Sequence, residues 1–359
     1  MLWVMKMIDK FDVKYWNECI TQIDNASSVS LFPHIHADGD ALGSVFALAV
    51  ALRKKDKAVK VFLCDSPEEA LGFLVPGSQW GIDVIVLDAT DSDDLSLYTE
   101  NPSDLAIGID CAGPDRMDNC YAVYKMSPNK IKIDHHVENP GCAFGDSNFV
   151  YDGWAATGEA VWLLLNAMGI EIDYEIAIRL YTALLTDTGR FVYSNVTPLT
   201  FYIASQLISV TGSDITWISR QVYDVKPKRM IKLLSAVYSK IEYFENGRIA
   251  YVYVPDKMFK DAGALLEDTN ALSSIMRDIE DVEVSIFVRD GKHGALAEDD
   301  KTLPALKASM RSCDKCNVAA VASAFGGGGH VRAAGLSFAG EEPVLKEKLL
   351  AEVRKQLNG

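Results

Sequence analysis

The sequence has no long apolar run, and this absence argues against a membrane-spanning protein. A transmembrane helix needs about 18 or more consecutive apolar residues, and no stretch of the chain provides them. The apolar start is interrupted at once by Lys6, Asp9 and Lys10, which argues against a secretory signal peptide. Because the 359 residues are 49% apolar and show no repeat or low-complexity tract, we expect two globular domains, each with its own core.

Positive charge is also scarce. The chain has 35 Lys and Arg residues against 50 Asp and Glu residues, a formal net charge of −15. Nonspecific binding to nucleic acid depends on basic surface, so we expect no long duplex as a partner. A phosphate-bearing substrate would need metal ions, or a few placed Arg and Lys residues, to offset its charge.

The cysteines do not form a disulfide framework. Seven occur at irregular spacing, so at least one stays unpaired. Cys313 and Cys316 form a single Cys-x-x-Cys pair without the second pair that a zinc site usually has. These features predict a protein of the reducing cytoplasm.

Short apolar runs alternate with helical stretches in the first half of the chain, which is typical of βαβ units and a parallel sheet. The predicted strands there are 28–32, 58–64, 83–87, 105–109 and 130–133. The predicted helices are 13–23, 42–54, 155–167, 174–185 and 198–210. A second α/β pattern has predicted strands 248–254, 282–289, 306–310 and 336–339, and predicted helices 265–279, 318–325 and 342–357.

The fold class that this pattern predicts is α/β in two domains. The first domain, with a parallel sheet, would span 1–210, a connector 211–229, and a smaller α/β domain 230–359. Four predicted strands of the first domain are followed by aspartate: Asp65, Asp88, Asp110 and Asp134. Because parallel strands end at one edge of the sheet, where ligands bind, these acids predict a cation site, although aspartate is also common in turns.

The stretch 33–44 combines imidazole and carboxylate groups at the end of the first predicted strand. His34, Asp38 and Asp40 could face one ion, with Gly39 relaxing the backbone between the two carboxylates. Alternatively, Asp40 caps the following helix and His34 is an ordinary polar residue at a strand end. Both interpretations stay open at this point.

Histidine is rare and clustered. Five of the six histidines lie in three short polar stretches: His34 and His36, His135 and His136, and His330. Side chains of neighbouring residues on an extended backbone point in different directions. One imidazole after Asp134 could therefore bind metal while the other faces substrate, the alternative being two loop histidines at the surface.

Asp187 completes a set of ligand-type residues. Alone, between two threonines after a predicted helix, it would be an ordinary turn residue. With the others it makes four carboxylates and two imidazoles: His34, Asp38, Asp40, Asp110, His135 and Asp187. This mixed set suits two Mn²⁺ ions, with Mg²⁺ or Co²⁺ as alternatives, better than Ca²⁺ or a thiolate zinc site. Two ions about 3.5–4 Å apart can activate a bridging water and clamp a phosphoryl group.

The second domain carries a phosphate-binding signal. Its glycine run, followed by His330, consists of Gly326, Gly327, Gly328 and Gly329. Such glycines expose backbone N–H groups that can cradle a phosphate, and a helix N-terminus beyond them would favour the anion. A flexible linker is the alternative. Upstream, Arg311 and Ser312 follow a predicted strand, where a guanidinium can contact phosphate in bidentate fashion.

With these motifs assembled, the sequence resembles the DHH/DHHA1 phosphoesterase family, and most of all its oligoribonuclease and pAp-phosphatase branch. The resemblance covers nearly the whole chain and rests on motifs at 34–44, 110–116, 134–136, 185–191, 309–312 and 326–330. Asp88 is a rival for Asp110, but Arg116 follows Asp110 at the family spacing. The family implies an active site in the cleft between the two domains.

The resemblance also implies individual roles. One ion would be held by His34, Asp38 and Asp110; the other by Asp40, Asp110, His135 and Asp187. The catalytic set would be His136, in contact with the scissile phosphate, Asp134, which orients the histidine pair, and Asp110. The far end of a short nucleotide would be gripped by Arg311, Ser312, the four glycines and His330. His36 stands where the family varies and is left as a neighbour of the site.

The implied activity is a phosphoric ester hydrolase with two divalent ions and no membrane partner. Its substrates would be short oligoribonucleotides or dinucleotides, cleaved to mononucleotides, and pAp, which would lose its 3′-phosphate. The alternatives are a cyclic-di-AMP or linear pApA phosphodiesterase, an exopolyphosphatase-like hydrolase, a single-strand DNA exonuclease, and a non-catalytic nucleotide sensor. The sequence leaves a homodimer open.

Overall fold

The structure of the chain is a computed structural model, and it describes residues 2–87, 92–136, 143–265, 268, 272–291, 306–313 and 316–358. The chain divides into two compact units, Met1–Val225 (unit 1) and Lys226–Gly359 (unit 2). The division falls inside the connector expected over 211–229. The domain limits drawn from the sequence, and the active site between the domains, stay predictions.

Unit 1 is built on a six-stranded sheet. Its strands are β1 Ser28–Phe32, β2 Ala58–Leu63, β3 Ile82–Val86, β4 Leu105–Ile109, β5 Asn129–Asp134 and β6 Ser147–Val150. Its helices are α1 Leu2–Lys10, α2 Val13–Asn25, α3 Gly39–Lys54, α4 Ser92–Glu100, α5 Cys120–Tyr124, α6 Thr157–Ala167, α7 Tyr174–Asp187, α8 Pro198–Thr211 and α9 Asp214–Ser219. Short helical turns lie at Glu69–Leu74, Ser78–Trp80, Pro114–Met117 and Arg220–Asp224.

The strands of this sheet are all parallel, in the order β3-β2-β1-β4-β5-β6. The order reverses at β1, which lies between β2 and β4, and such a reversal opens a crevice at the carboxyl ends of the strands. Phe32 of β1 lies opposite Gly108 of β4, and Ile109 of β4 lies opposite Ile133 of β5. The residues that follow these three strands are therefore neighbours.

Helices α3, α6 and α7 pack closely behind this edge because small residues lie where they touch. Helix α3 is buried from Gly39 to Leu52. A Cβ at Gly43 would lie 2.4 Å from the carbonyl oxygen of Arg179 in α7, and one at Gly158 in α6 would lie 2.7 Å from the Cβ of Ala183. No larger side chain fits at either position. The close approach brings the first turn of α3 and the last turn of α7 to the same edge of the sheet.

Unit 2 has a second six-stranded sheet, in the order β11-β12-β10-β9-β8-β7. Its strands are β7 Glu242–Phe244, β8 Ile249–Val254, β9 Val284–Asp290, β10 Leu306–Ser312, β11 Gly328–His330 and β12 Ala333–Phe338. Its helices are α10 Lys228–Tyr238, α11 Asp256–Ala262, α12 Leu272–Arg277, α13 Val318–Ser323 and α14 Glu342–Asn358. Strands β8 and β9 run parallel, and the other neighbouring strands run antiparallel.

The predicted fold class is confirmed: both units are α/β, and unit 1 has the parallel sheet. The structure adds elements that the sequence did not predict, among them α1, β6 and α11. The helix predicted over 265–279 is found only over Leu272–Arg277, and part of that range lies outside the described residues. In the described part of the chain, none of the helices has the length and apolar character needed to cross a membrane.

Candidate metal centre

Carboxylate and imidazole groups gather at the crevice where the strand order of unit 1 reverses. His34 and Asp38 follow β1, Asp110 follows β4, and His135 follows β5. Asp110 adopts a left-handed backbone, with φ of +60°, and its N–H donates to Ile133 at 3.0 Å. This conformation is uncommon for a residue with a Cβ, and such strain is typical of functional sites.

The first group of facing side chains consists of His34, Asp38 and Asp110. His34 Nε2 lies 3.7 Å from a carboxylate oxygen of Asp110 and 3.9 Å from one of Asp38. These distances are too long for hydrogen bonds and suit atoms that share a cation. The other ring nitrogen, Nδ1, lies 2.7 Å from the carbonyl oxygen of Ile35, which can only accept. Nδ1 therefore carries the hydrogen, and Nε2 keeps a lone pair for a metal.

The helix cap at this site is Asp38, which corrects the alternative that Asp40 caps the helix. Oδ1 of Asp38 accepts from the backbone N–H of Asp40 at 3.0 Å and of Ala41 at 3.1 Å. Helix α3 begins at Gly39, three residues before the predicted start, because Asp38 satisfies its first donors. Asp40 lies inside the first turn of α3. Its side chain does not cap the helix and can face the other acids and histidines of the site.

Asp40 is fully buried and held by donors from α6. Its carboxylate accepts from the backbone N–H of Thr157 at 2.6 Å and of Gly158 at 2.9 Å. The hydroxyl of Ser44, one turn along α3, donates to it at 3.0 Å. The N-terminus of α6 thus fixes the carboxylate in place and favours its negative charge.

The second group of facing side chains consists of Asp40, His135 and Asp187. His135 Nε2 lies 3.3 Å from Asp187, 3.5 Å from Asp110 and 3.9 Å from Asp40. Its Nδ1 lies 3.2 Å from the carbonyl oxygen of Trp154, so Nδ1 donates there and Nε2 again keeps a lone pair. A third group, of Asp110, His135 and His136, shares Asp110 with the first and His135 with the second. The six residues predicted as metal ligands are thus brought together at one site.

Burial, and after it mutual repulsion, raises the pKa values of three of these acids. Burial, followed by the charges of Asp110 and Asp187, raises the pKa of Asp40 well above its ordinary range. Burial and the charge of Asp38 raise the pKa of Asp110, in part offset by His135 and His34. For Asp187, burial is again the largest cause and the pKa rises to about 6. A divalent cation would relieve this repulsion, so the donor set fits metal ions.

The histidine pair is organised by Asp134. Its Oδ1 accepts from the backbone N–H of His135 at 2.8 Å, from the backbone N–H of His136 at 3.2 Å and from His136 Nδ1 at 2.8 Å. The sequence predicted an extended backbone at these residues. In the structure the chain curls around the Asp134 carboxylate instead. The two rings lie in edge contact, with centroids 4.7 Å apart. His135 turns towards the carboxylates, and His136 is the more exposed of the two.

Asp134 also sets the charge of His136. The hydrogen bond from its carboxylate raises the pKa of His136 to about 9, against the opposing effect of burial. Burial raises the pKa of Asp134 itself, but the hydrogen bond from His136 and the charge of Lys132 outweigh it, and the net shift is downward. The hydrogen bond to Asp134 thus favours the imidazolium form of His136, with Nδ1 occupied and Nε2 available to an anion.

Two supporting residues were not found from the sequence. The hydroxyl of Thr157 donates to Asp110 at 2.7 Å. Lys132 is buried, with Nζ 3.2 Å from Asp134 and 3.2 Å from the carbonyl oxygen of Ala112. A signal existed for Lys132, because a charged residue between two isoleucines of a buried strand needs a buried partner. Asp88, the rival of Asp110, lies outside the described residues.

The glycine run of unit 2 differs from the expected phosphate cradle. It follows the end of α13 and enters the hairpin of β11 and β12, so no helix N-terminus lies beyond it. The N–H groups of Gly326 and Gly327 donate to Ser323 at 3.1 Å and to Ala322 at 2.9 Å. The left-handed Gly326, with φ of +74°, thereby caps α13. Gly328 and Gly329 belong to β11.

Two further predicted binding residues lie on the neighbouring strand β10. Burial and the nearby charge of Arg277 lower the pKa of Arg311, whose side chain donates to the Met310 carbonyl at 3.0 Å. Ser312 is buried, and its hydroxyl donates to the carbonyl of Cys316 at 2.7 Å. His330 ends β11, opposite Ala333 of β12; its side chain lies outside the described part of the structure.

Comparison with known proteins identifies both halves of the chain. The model of the DHH family, N-terminal domain, matches residues 28–186, and that of the DHHA1 domain matches residues 246–359. The chain belongs to the DHH phosphoesterase family. The predicted family and enzyme class, a phosphoric ester hydrolase, are confirmed at this level. The family is metal-dependent, and the two groups of acids and histidines described above can hold metal.

Relatives match the chain over nearly its full length. A Thermus thermophilus protein named bifunctional oligoribonuclease and PAP phosphatase NrnA is 28% identical over 96% of this chain and 96% of its own. A Bacillus subtilis protein of the same name is 26% identical over 89% and 92%. The solved structure of an exopolyphosphatase-related protein from Bacteroides fragilis has a TM-score of 0.81 at 26% identity and covers 94% of this chain and 95% of that chain.

Proposed function

We propose that this protein hydrolyses short oligoribonucleotides to mononucleotides and removes the 3′-phosphate of pAp. The observation that carries the proposal is the position of Asp110 between the two ligand groups: one of its carboxylate oxygens lies 3.7 Å from His34 Nε2 and the other lies 3.5 Å from His135 Nε2. Several relatives of similar length are named oligoribonuclease and PAP phosphatase. The proposal includes a cytoplasmic location, as the sequence predicts.

The residues would hold two divalent ions. One would be bound by His34, Asp38 and Asp110, and the other by Asp40, Asp110, His135 and Asp187, with Asp110 shared. Imidazole nitrogens with free lone pairs and several carboxylates favour Mn²⁺, with Mg²⁺ and Co²⁺ as substitutes. When bound, two such ions supply Lewis-acid activation of water and neutralise charge on the phosphoryl group.

The protein's own groups would orient and stabilise the reacting phosphate. His136, charged and held through Nδ1 by Asp134, would donate from Nε2 to a phosphate oxygen as negative charge develops there. Lys132 supports Asp134 from within the sheet, so the donor keeps its direction. Thr157 holds the Asp110 carboxylate that the two metal positions share.

Unit 2 would bind the end of the nucleotide remote from the scissile bond. Arg311, half-buried beside Arg277, would contact the terminal phosphate, and the hairpin of Gly328, Gly329 and His330 would lie against the nucleotide. The buried hydroxyl of Ser312 would hold the loop at Cys316 in place and not touch substrate. Long duplexes are not substrates in this proposal, because the chain is strongly acidic.

The test is a substrate panel read by product chromatography. With Mn²⁺, ribonucleotides of two to five residues and pAp should yield mononucleotides and AMP, and a variant with Asp187→Ala should lose both activities. Cyclic and linear diadenylates in the same panel separate the main alternative. Faster cleavage of the cyclic dinucleotide than of short linear RNA would overturn the proposal.

A further inference from the structure

A cavity of about 250 Å³ opens beside Asp38 in unit 1. Its wall combines acceptor groups with apolar side chains, and its members are His36, Ala37, Asp38, Gly39, Glu68, Ala70, Leu71, Thr186 and Val222. Only Asp38 among them belongs to the proposed ligand set. A group that occupies this cavity would therefore lie directly next to the reacting phosphate.

His36 is held at the cavity wall by Asp65. The backbone N–H of His36 donates to the two Asp65 carboxylate oxygens at 3.1 and 3.2 Å, and Nδ1 of its ring forms a short contact with the same carboxylate. His36 has a left-handed backbone with φ of +54°, which is unfavourable for a residue with a Cβ and persists where the surroundings impose it. The contact arises because β1 and β2 are neighbours and both residues follow their strand ends.

The arrangement leaves one edge of the imidazole for a ligand. Asp65 occupies Nδ1, and the His36 side chain is 79% exposed, so Nε2 is the atom that a bound molecule meets. A hydroxyl suits this position in either protonation state of the ring, because a hydroxyl both donates and accepts. A phosphate suits it less well, since the carboxylate of Glu68, which is not among the proposed metal ligands, lines the same cavity and would repel an anion.

The shape and polarity of the cavity match a sugar ring. Ala70, Leu71 and Val222 offer an apolar surface for the carbon face of a ribose, while His36 and the carboxylates accept hydrogen bonds from its hydroxyls. Ribose 2′-hydroxyl contacts are how proteins distinguish RNA from DNA. We propose that this cavity binds the ribose next to the scissile phosphate, and that His36, oriented by Asp65, hydrogen-bonds its 2′-hydroxyl and makes the enzyme prefer RNA to DNA. This rests on the phosphoesterase function proposed above.

The experiment compares kcat/KM for a ribodinucleotide and the deoxyribodinucleotide with the same bases, in Mn²⁺. The wild-type enzyme should prefer the ribodinucleotide by about tenfold or more, the size of a lost hydrogen bond in a half-open site. His36→Asn keeps a residue that tolerates the left-handed backbone but cannot reach as far as Nε2. It should lower kcat/KM for RNA by about tenfold and leave that for DNA within about twofold.

Two companion variants separate contact from folding. His36→Gln places an amide nitrogen near the position of Nε2 and should regain part of the preference for RNA. Asp65→Ala releases the ring and should reduce the preference with the cavity wall otherwise intact. The control is Asp24→Asn, which removes an exposed partner of Lys55 and should leave the RNA-to-DNA ratio unchanged. Thermal unfolding and Mn²⁺ binding of each variant verify that the fold and the metal groups are intact.

The outcomes distinguish this inference from the proposed function. Loss of the RNA preference in His36→Asn, with DNA cleavage retained, supports the inference. Equal cleavage of both dinucleotides by the wild type, or an equal fall for both in His36→Asn, overturns it while the phosphoesterase function stands. A wild-type enzyme that cleaves neither dinucleotide refutes the proposed function itself, and the inference with it.

Discussion

The candidate residues of unit 1 and those of unit 2 are positioned in opposite ways. In unit 1, Asp40 and Asp110 are buried, hydrogen-bonded and shifted in pKa by their neighbours. In unit 2, Arg311 donates only to the Met310 carbonyl in its described contacts, and the second half of the glycine run belongs to a hairpin strand. Buried, strained acids are costly and are kept where a cation offsets them, whereas half-exposed donors suit a group that must bind and leave. We therefore assign chemistry to unit 1 and substrate affinity to unit 2.

The largest effect on this comparison is expected from removal of the carboxylate of Asp110, which both metal positions share. Asp110→Asn should lower kcat by about 10³-fold or more, because both metal positions lose a ligand and the charge stabilisation of a metal site amounts to several kcal/mol. The measurement is steady-state hydrolysis of a ribodinucleotide in saturating Mn²⁺. Asp83→Asn, at an exposed carboxylate in β3 of the same sheet, is the control and should act like the wild type. More than a tenth of the wild-type rate in Asp110→Asn would contradict the assignment.

The second prediction tests whether the buried ion pair of Lys132 and Asp134 stabilises the folded protein. Lys132→Met removes one of the two cations beside the buried Asp134 carboxylate and leaves the other, His136. Because His136 still offsets part of the charge, the loss of unfolding free energy should be about 3 kcal/mol, the lower end for a broken buried pair. Urea denaturation measures the loss. The matched control is Lys130→Met on the same strand, whose pair with the exposed Asp146 is 3.3 Å long; it should cost less than about 1 kcal/mol. Equal losses in the two variants would show that Asp134 does not depend on Lys132.

A smaller effect should appear in unit 2. Arg311→Ala should raise KM for a short ribonucleotide by about 10- to 100-fold, because charge-assisted hydrogen bonds contribute roughly 1.5–3 kcal/mol. The kcat value should stay within about threefold. Arg311→Lys should restore only part of the affinity, since an ammonium cannot form the bidentate contact.

The control for Arg311 is Arg354→Ala, which removes a partly exposed partner of Glu245 and should change neither constant. A fall of kcat at unchanged KM in Arg311→Ala would mean that unit 2 takes part in the chemical step. The contrast between the two units would then fail.

The smallest effect concerns pH and the metal-free protein. The pKa of Asp187 is about 6 in the folded protein, above its ordinary value of 3.8. Between these two pH values the Asp187 carboxyl is protonated in the folded state and ionised in the unfolded state. This contribution to stability is complete below pH of about 4 and is lost as pH rises through about 6. Asp187→Asn should therefore raise the metal-free unfolding free energy at pH 7 by roughly 1–2 kcal/mol.

Urea titrations at pH 5 and 7.5 in the presence of a chelator measure this change. Ionisation of Asp187 should lower the unfolding free energy of the metal-free wild type at pH 7.5 relative to pH 5. The variant, which has no carboxyl at this position, should lack this contribution. Added Mn²⁺ should stabilise the wild type more than the variant. Destabilisation of the metal-free protein by Asp187→Asn at pH 7 would contradict the repulsion described here.

The sequence predicted much of the fold because short runs rich in apolar residues, such as β1 and β4, alternate with helical stretches in unit 1. β1 and β4 match their predicted bounds, and the aspartates after β4 and within β5 mark the ends that the crevice uses. Strand β6 was missed because it is short and carries an exposed Asn148. The helix start at Gly39 was missed because the choice between Asp38 and Asp40 as cap depends on side-chain geometry.

Parts of the site depend on contacts between distant segments and could not be predicted. Thr157 supports Asp40 and Asp110 only because α6 packs against α3. The contact of His36 with Asp65 depends on β2 lying beside β1, and no local pattern fixes that order. A phosphate cradle with a helix N-terminus beyond it was expected because four consecutive glycines expose their N–H groups, whereas the first of these N–H groups cap the helix that precedes the run.

The central claim is that the six ligand residues of unit 1 hold two divalent ions on which hydrolysis depends. Equilibrium dialysis with Mn²⁺, followed by elemental analysis, measures ions bound per chain in the wild type and in Asp110→Asn. We expect two ions per wild-type chain, fewer in the variant, and hydrolysis of short RNA that rises as the second ion binds. Full hydrolysis with one ion or none per chain would contradict the account.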